Sequence, residues 1–175
     1  APYAAPPGPE GGYLAALAAP PPRLRIALCN RFFEGDPVHP DVAAAVDAFA
    51  HRLEALGHAI EPAGPDFSTL DVVRPVMVGV ATGTAMGLEA IAIQRGWPIG
   101  TDEVEPVTWG AMQHARSLGA TDYLRAIASL HALGRRMARF HERFDMLLTA
   151  TLAEPPARID RFAMSNPDFI DYRLG

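Results

Sequence analysis

The sequence contains no lysine: all 15 of its basic side chains are arginine. Any chemistry that needs an ammonium-bearing general base, or the lysine of a phosphate-binding P-loop, is therefore not encoded within these 175 residues. Cysteine is almost as scarce. Cys29 stands alone, which excludes an internal disulfide framework and a multi-cysteine zinc site and points to a reducing, cytoplasmic setting. Because Cys29 ends an apolar run, it reads as a small packed hydrophobe rather than a nucleophile. Positive charge is in deficit, with a formal net charge of -5, so a nucleic-acid partner is not expected. The start lacks a basic segment ahead of an apolar one, so no secretory leader is read there. Long apolar runs are missing too. The most membrane-like stretch, Val76 to Leu88, has thirteen uncharged residues, whereas a spanning helix needs about twenty. Gly79, Gly83 and Gly87 share the spacing of a membrane helix-pairing motif, but a buried helix approached closely by a neighbour is the expected reading, and no membrane partner is expected.

What is present suits a globular α/β chain, with 49% hydrophobic and 20% charged residues. Residues 1–23 form a lead-in rich in proline and glycine, in which Pro2, Pro6, Pro7, Pro9 and Pro20 to Pro22 disfavour helix and strand, although Tyr13 to Ala19 could form a turn or two of helix on a larger surface. Leu24 to Cys29 reads as the first strand and leads into a turn-rich link at Gly35-Asp36-Pro37. A helix is expected from His39-Pro40-Asp41, with Val42, Ala45, Val46, Phe49, Leu53 and Leu56 on one face and Gly57 as its C-terminal cap. A strand from His58 to Ala63 completes a parallel strand–helix–strand unit. Beyond it, Leu70 to Arg95 is expected to be helical and buried, with a break near Pro75 or at the glycines. Pro106 to Leu118 reads as a helix stopped by Gly119, and Thr121 as the cap of another that runs to about Phe144. That helix carries an apolar stripe from Tyr123 to Phe144 and an arginine cluster, Arg135, Arg136, Arg139 and Arg143, expected to be a solvated face complementing the helix dipole. Met146 to Thr149 is the third strand signal, and the apolar residues before Gly175 read as a further strand. Ligands in open α/β sheets lie beyond the carboxyl ends of the strands, so residues 149–156 are the segment expected to approach one.

No catalytic constellation emerges from the side chains. None of the six histidines forms an HExxH pair or a metal-ligand pattern, and no metal or cofactor is expected. The serines, Ser68, Ser117, Ser129 and Ser165, lie in neither a nucleophile elbow nor a glycine-serine loop. The carboxylate pairs Asp102 with Glu103, and Glu154 with Asp160, fall in polar loops where solvated carboxylates are the default.

Several segments, in order, resemble the region that follows the catalytic core in amidase signature enzymes. These are Leu24-Arg25-Ile26-Ala27; Val38-His39-Pro40-Asp41-Val42 with Leu53-Glu54-Ala55-Leu56-Gly57-His58; Arg116-Ser117-Leu118-Gly119-Ala120-Thr121-Asp122-Tyr123 with Gly134-Arg135-Arg136; and Phe144-Asp145-Met146-Leu147-Leu148-Thr149 followed by Thr151-Leu152-Ala153 and Pro155-Pro156. The match covers roughly residues 1 to 160, and Ala150 stands where the family usually has proline. The resemblance implies an α/β fold: a strand–helix–strand unit plus several helices on a twisted mixed sheet, with residues 24–175 part of a single amidase-like domain. It also implies hydrolysis of the carbon–nitrogen bond of a small linear amide by two serines and a lysine. All three precede the matched stretch, so none can be placed on a residue here, and a start at Ala1 and an end at Gly175 read as cut ends. The family's pocket walls come partly from this region, which makes Trp109, Thr149, Thr151 and Leu152 the candidate substrate contacts, with Trp109 more ordinarily a core residue. A small-molecule amide would be the partner, and a homodimer is a candidate assembly. The competing reading is a non-catalytic α/β binding or interaction domain; a membrane-associated helical module would rest on the glycine spacing alone.

Overall fold

The computed structural model describes residues 7–31, 37–159 and 161–174. Pro2, Pro6, Gly35, Asp36 and Asp160 lie outside the described residues. Three parallel strands form the sheet: β1 (Arg25–Cys29), β2 (Ala59–Pro62) and β3 (Met146–Thr149), in spatial order β2-β1-β3. Helix α1 (Gly12–Ala16) precedes β1, and its Tyr13 and Leu14 stand exposed without the larger surface expected beneath them. Helix α2 (Pro40–Ala55) joins β1 to β2, so the strand–helix–strand unit forms as the pattern predicts. Among the described residues the sheet contains only parallel pairs; an isolated antiparallel bridge joins Arg31 to Pro37 beside it.

The central strand is the buried one, with Ile26, Ala27 and Cys29 each at most 5% exposed. Its pairing with β3 is fixed at the strand entrance. The Arg25 N–H donates to Asp145 Oδ2 at 2.7 Å, its guanidinium grips both carboxylate oxygens, and the Asp145 N–H returns a bond to the Arg25 carbonyl at 2.8 Å. The guanidinium, with the Arg25 N–H after it, holds the Asp145 carboxyl at about 2, well below its ordinary 3.8. Opposite it, Arg143 pairs with Glu61 and ties the entrance of β3 to β2.

The long excursion from β2 to β3 is helical. Helix α3 (Thr69–Arg95) begins at a reciprocal cap in which Ser68 Oγ accepts from the Asp71 N–H and the Asp71 carboxylate accepts from the Ser68 N–H. The expected break does not occur: α3 runs unbroken through Pro75 and all three glycines. A proline removes one donor from the ladder, and the cap before it and packing against the two following helices hold both flanks. Those are α4 (Pro106–Ser117) and α5 (Ala120–Arg143). Gly119, not Thr121, is the N-terminal cap of α5; Asp122 reaches back to its N–H at 2.9 Å, and Thr121 lies inside the helix. The residues before Gly175, expected as a strand, form helix α6 (Phe169–Leu174). Phe169 drives that choice by packing its ring on Ala81, Val107 and Ala111 of α3 and α4. No sheet edge lies in that cluster, so the segment folds on itself.

Two of the four arginines of the α5 cluster are paired, while Arg135 and Arg139 are exposed, as expected of a solvated face. Arg136 lies by Asp66 and Asp71 and over the Phe67 ring, while Arg143 holds Glu61. Between α3 and α4 the chain turns through residues 96–104, and Arg95 staples the turn. Its fork takes both Glu103 oxygens at 2.6 and 2.7 Å, bonds the Trp97 and Pro98 carbonyls, and lies 5.0 Å from the Trp97 ring centre. Together with the Gly100 N–H, this fork lowers the Glu103 carboxyl to about 2.

Alanines make up half of the buried apolar residues, Ala27, Ala50, Ala81, Ala85, Ala111 and Ala126, beside Ile26, Val107, Met112, Phe144 and Phe169, and among the described residues no large side chain is fully enclosed. Many large apolar groups remain open, among them Leu56 at 75%, Met86 at 70% and Ile93 at 82% exposed. Helix α3 is long and apolar enough to cross a bilayer by length and composition, and only 17% of its most apolar window is buried. Pro75, Val76, Gly79 and Gly83 of α3 face Tyr123, Ala126, Ile127 and Leu130 of α5 across an open apolar groove.

Two outcomes check this packing. A Cβ on Gly110 would lie 1.9 Å from the Pro167 carbonyl oxygen, so Gly110→Ala is expected to dislodge α6 and raise amide hydrogen exchange across residues 164–174. Asp145→Asn is expected to lower the thermal midpoint near neutral pH. The folded-state pKa lies below the unfolded one, so the contribution is complete above about pH 4 and fades towards pH 2, where the variant and parent midpoints should converge.

Candidate functional site

The sheet order creates the site. The chain steps from β1 to β2 on one side and then crosses to β3 on the other, so the connections part between β1 and β3. Such a parting leaves a crevice beyond the carboxyl ends of the strands. The register places Cys29 opposite Thr149 at that end. Thr149 closes β3, and residues 150–156 leave regular structure, as the two prolines dictate.

Two grooves open there, one on either side of α2. The first, of about 440 Å³, lies between α2 and the end of β3, and Thr149, Thr151 and Leu152 all line it, with Ala150 between the threonines. Its other wall is the face of α2 predicted to be core, including Val42, Val46 and Phe49. That face is only partly covered, with Phe49 49% exposed and Leu152 64% exposed. The second groove, of about 580 Å³, lies at the ends of β1 and β2 and is polar; in it Asn30 Nδ2 donates to Asp47 Oδ1 at 2.6 Å, close to Arg31 and Gly64. The Cys29 thiol is buried beside this groove, with its Sγ 3.5 Å from the Arg31 carbonyl.

His39 joins α2 to the loop after β3. Its Nδ1 accepts from the Asp41 N–H at 3.3 Å and caps the helix, and its own N–H donates to the Ala153 carbonyl at 2.8 Å. The capping role and the Ala153 bond were not legible in the sequence, where His39 reads only as the start of a helix. Trp109 is elsewhere. It lies half-buried on α4, beside Gly110 where α6 crosses, and does not line the groove that holds Thr149, Thr151 and Leu152.

Several of the other polar side chains have structural partners. Ser117 and Ser129 donate to backbone carbonyls of their own helices, and Ser68 caps α3. His51 bonds Glu54, the His58 ring accepts from the Leu24 N–H, and His141 meets the Phe144 carbonyl. Glu103 is taken by Arg95, and Glu154 by Arg161. Among the described residues, no group of three or more metal-ligating side chains comes together.

A sheet with this crevice, flanked by these helices, is the fold of the amidase signature enzymes. The chain superposes on a substrate complex of 6-aminohexanoate cyclic dimer hydrolase with a TM-score of 0.70 and 24% identity, over 79% of this chain and 29% of that one. It also superposes on a bacterial aryl acylamidase of the amidase signature family, with a TM-score of 0.67 and 18% identity over 78% and 28%. In sequence it is 28% identical over 149 residues to 2-amino-5-chloromuconic acid deaminase of Comamonas testosteroni, covering 82% of this chain and 31% of that protein. The Amidase family model matches residues 2–174, and the chain belongs to that family. It spans less than a third of the length of each of these relatives.

His39 offers a direct check on how the loop is held. His39→Ala is expected to lose about 1 kcal/mol through the missing cap, read as a shift in urea midpoint. The backbone bond to Ala153 does not depend on the side chain, so protection of the His39 amide should persist in hydrogen exchange.

Proposed function

We propose that these residues form the substrate-side, non-catalytic part of an amidase that hydrolyses the carbon–nitrogen bond of a small linear amide through an acyl-enzyme. The attacking serine, the relaying serine and the lysine base are supplied by polypeptide outside residues 1–175, and residues 24–175 form part of one domain with them. Membership of the Amidase family across residues 2–174 is the observation that carries this reading. The absence of lysine gives it its particular form, since no residue in this sequence can take the base's role. The relatives named above act on amide-like or amine-bearing carbon–nitrogen compounds by their descriptions, which supports small-molecule chemistry.

In this reading Thr149, Thr151 and Leu152 form a wall of the substrate pocket, and Trp109 contributes from α4 to a separate part of it. The enzyme works in the cytoplasm, without cofactor or metal, binds neither nucleic acid nor membrane, and pairs as a homodimer. The exposed surface of α3 is covered by protein rather than lipid, in keeping with its polar cap at Ser68 and the Arg95–Glu103 ion pair at its far end. The alternative is a non-catalytic α/β binding or interaction domain.

Expression decides between the two. The 175-residue chain alone should turn over no carboxamide, whereas the native gene product should exceed 18.8 kDa by intact mass and hydrolyse a carboxamide. Replacing its catalytic lysine by alanine should abolish that activity. Turnover by the 175-residue chain would overturn the proposal, and a native mass near 18.8 kDa with no activity would favour the binding domain.

A further inference from the structure

Resting on the amidase reading, we infer that the open groove between α3 and α5 is a seam of the whole enzyme, filled by the catalytic part of the same polypeptide, so that α3 is an interior helix there. The distribution of charge around α3 carries this. A helix on a protein surface has one apolar stripe and a charged face opposite it. Helix α3 has no such division. No charged residue occurs between Arg74 and Glu89, so about four turns present no charge in any direction. On one side Met77, Val80 and Ala81 pack into the cluster around Phe169. On another, Val76, Gly79, Gly83 and Met86 open on the groove beside α5. The Thr82 and Thr84 hydroxyls bond carbonyls of the helix itself and ask for no water. A helix of this kind is enclosed on all sides, in a large core or in a bilayer. Here the groove is open, and Met86 is 70% exposed.

Three observations select the occupant. The uncharged run of α3 is shorter than the about twenty residues a bilayer requires, and the Arg74 and Glu89 side chains bound it, which disfavours lipid. The groove, of about 510 Å³, is lined by no charged side chain, so its complement is apolar, as in permanent interfaces rather than transient ones. The same fold is carried by single chains of which this one covers 29% and 28%. More than two-thirds of each of those chains therefore lies outside the matched part, and polypeptide of that extent is nearer to the groove than any second copy. Gly79 and Gly83 fit an intimate seam. A Cβ at either would meet nothing within 4 Å, so the α3 backbone lies bare along the groove and an opposing element can approach it closely.

The test uses the full native gene product, with Met86 as a probe already in place. Its oxidation by hydrogen peroxide is followed by peptide mass spectrometry, in the folded protein and in urea. Met86 is expected to oxidise about tenfold more slowly when folded, and equally slowly after roughly hundredfold dilution. Gly83→Leu supplies an independent sign. It replaces a poor helix former with a good one, so an open groove predicts an unchanged or raised Tm. A filled groove predicts a lowered Tm, because the new side chain overpacks it. Oxidation of Met86 at the unfolded rate, or a Tm that does not fall in Gly83→Leu, would overturn the inference. Protection that disappears on dilution would also overturn it and assign the groove to a second copy, and a protein recovered only with detergent would assign it to lipid. A native mass near 18.8 kDa would end the amidase reading itself. A longer product that hydrolyses a carboxamide while Met86 stays open would leave that reading standing and remove the seam alone.

Discussion

The reciprocal clamp between Arg25 and Asp145 is the contact on which the geometry of the site depends. An exposed ion pair is ordinarily worth little, and the side-chain half of this one is open to solvent. What distinguishes it is that backbone and side chain act together. Each residue bonds the other's main chain while the guanidinium grips the carboxylate, so β3 can enter the sheet in one register only. A slip of one residue would turn every side chain of β3 to the opposite face. It would also carry Thr149 away from the end of β1 and dissolve the groove wall that begins there. Neither partner is deeply buried, so the clamp acts by geometry rather than by energy drawn from a low dielectric.

The parts of this arrangement legible in the sequence are those set by local pattern. The apolar run ending at Cys29, the periodicity after His39-Pro40-Asp41 and the glycine at position 57 specify a strand, a helix and a return, and the chain folds accordingly. Residues 149–156 could be singled out because a general rule places ligands beyond parallel strand ends. Features decided by distant partners could not be read in this way. Pro75 suggests a break that packing on α4 and α5 overrides. Thr121 has the chemistry of a cap, yet Asp122 reaches Gly119 first. The segment at Phe169 has strand-like composition, but its ring is claimed by α3 and α4.

Phe49 illustrates a subtler limit. Helical periodicity correctly assigns it to the apolar face of α2, but periodicity shows only which residues share a face, and not what the face meets. Here Ala50, the next residue along the helix, is buried, whereas Phe49 borders an open groove. The same distinction applies to α3, whose glycines were expected to admit a close neighbour; a Cβ added at Gly79, Gly83 or Gly87 would meet nothing within 4 Å. Although Ile26, Met112, Phe144 and Phe169 are buried, many other large apolar side chains stand exposed, which accords with a chain spanning less than a third of the relatives it matches.

The Arg95 staple has a mechanical consequence. A guanidinium does not deprotonate in a protein, and Glu103 keeps its charge down to about pH 2, so both ends of the staple stay ionised wherever the chain is folded. The same side chain also gathers the Trp97 and Pro98 carbonyls, so one arginine holds three separate points of the turn over residues 96–104. Arg95 ends α3 and Glu103 stands three residues before Pro106 opens α4, so one side chain ties the end of one helix to the approach of the next, with Ala81 of α3 and Val107 of α4 meeting in the Phe169 cluster beyond.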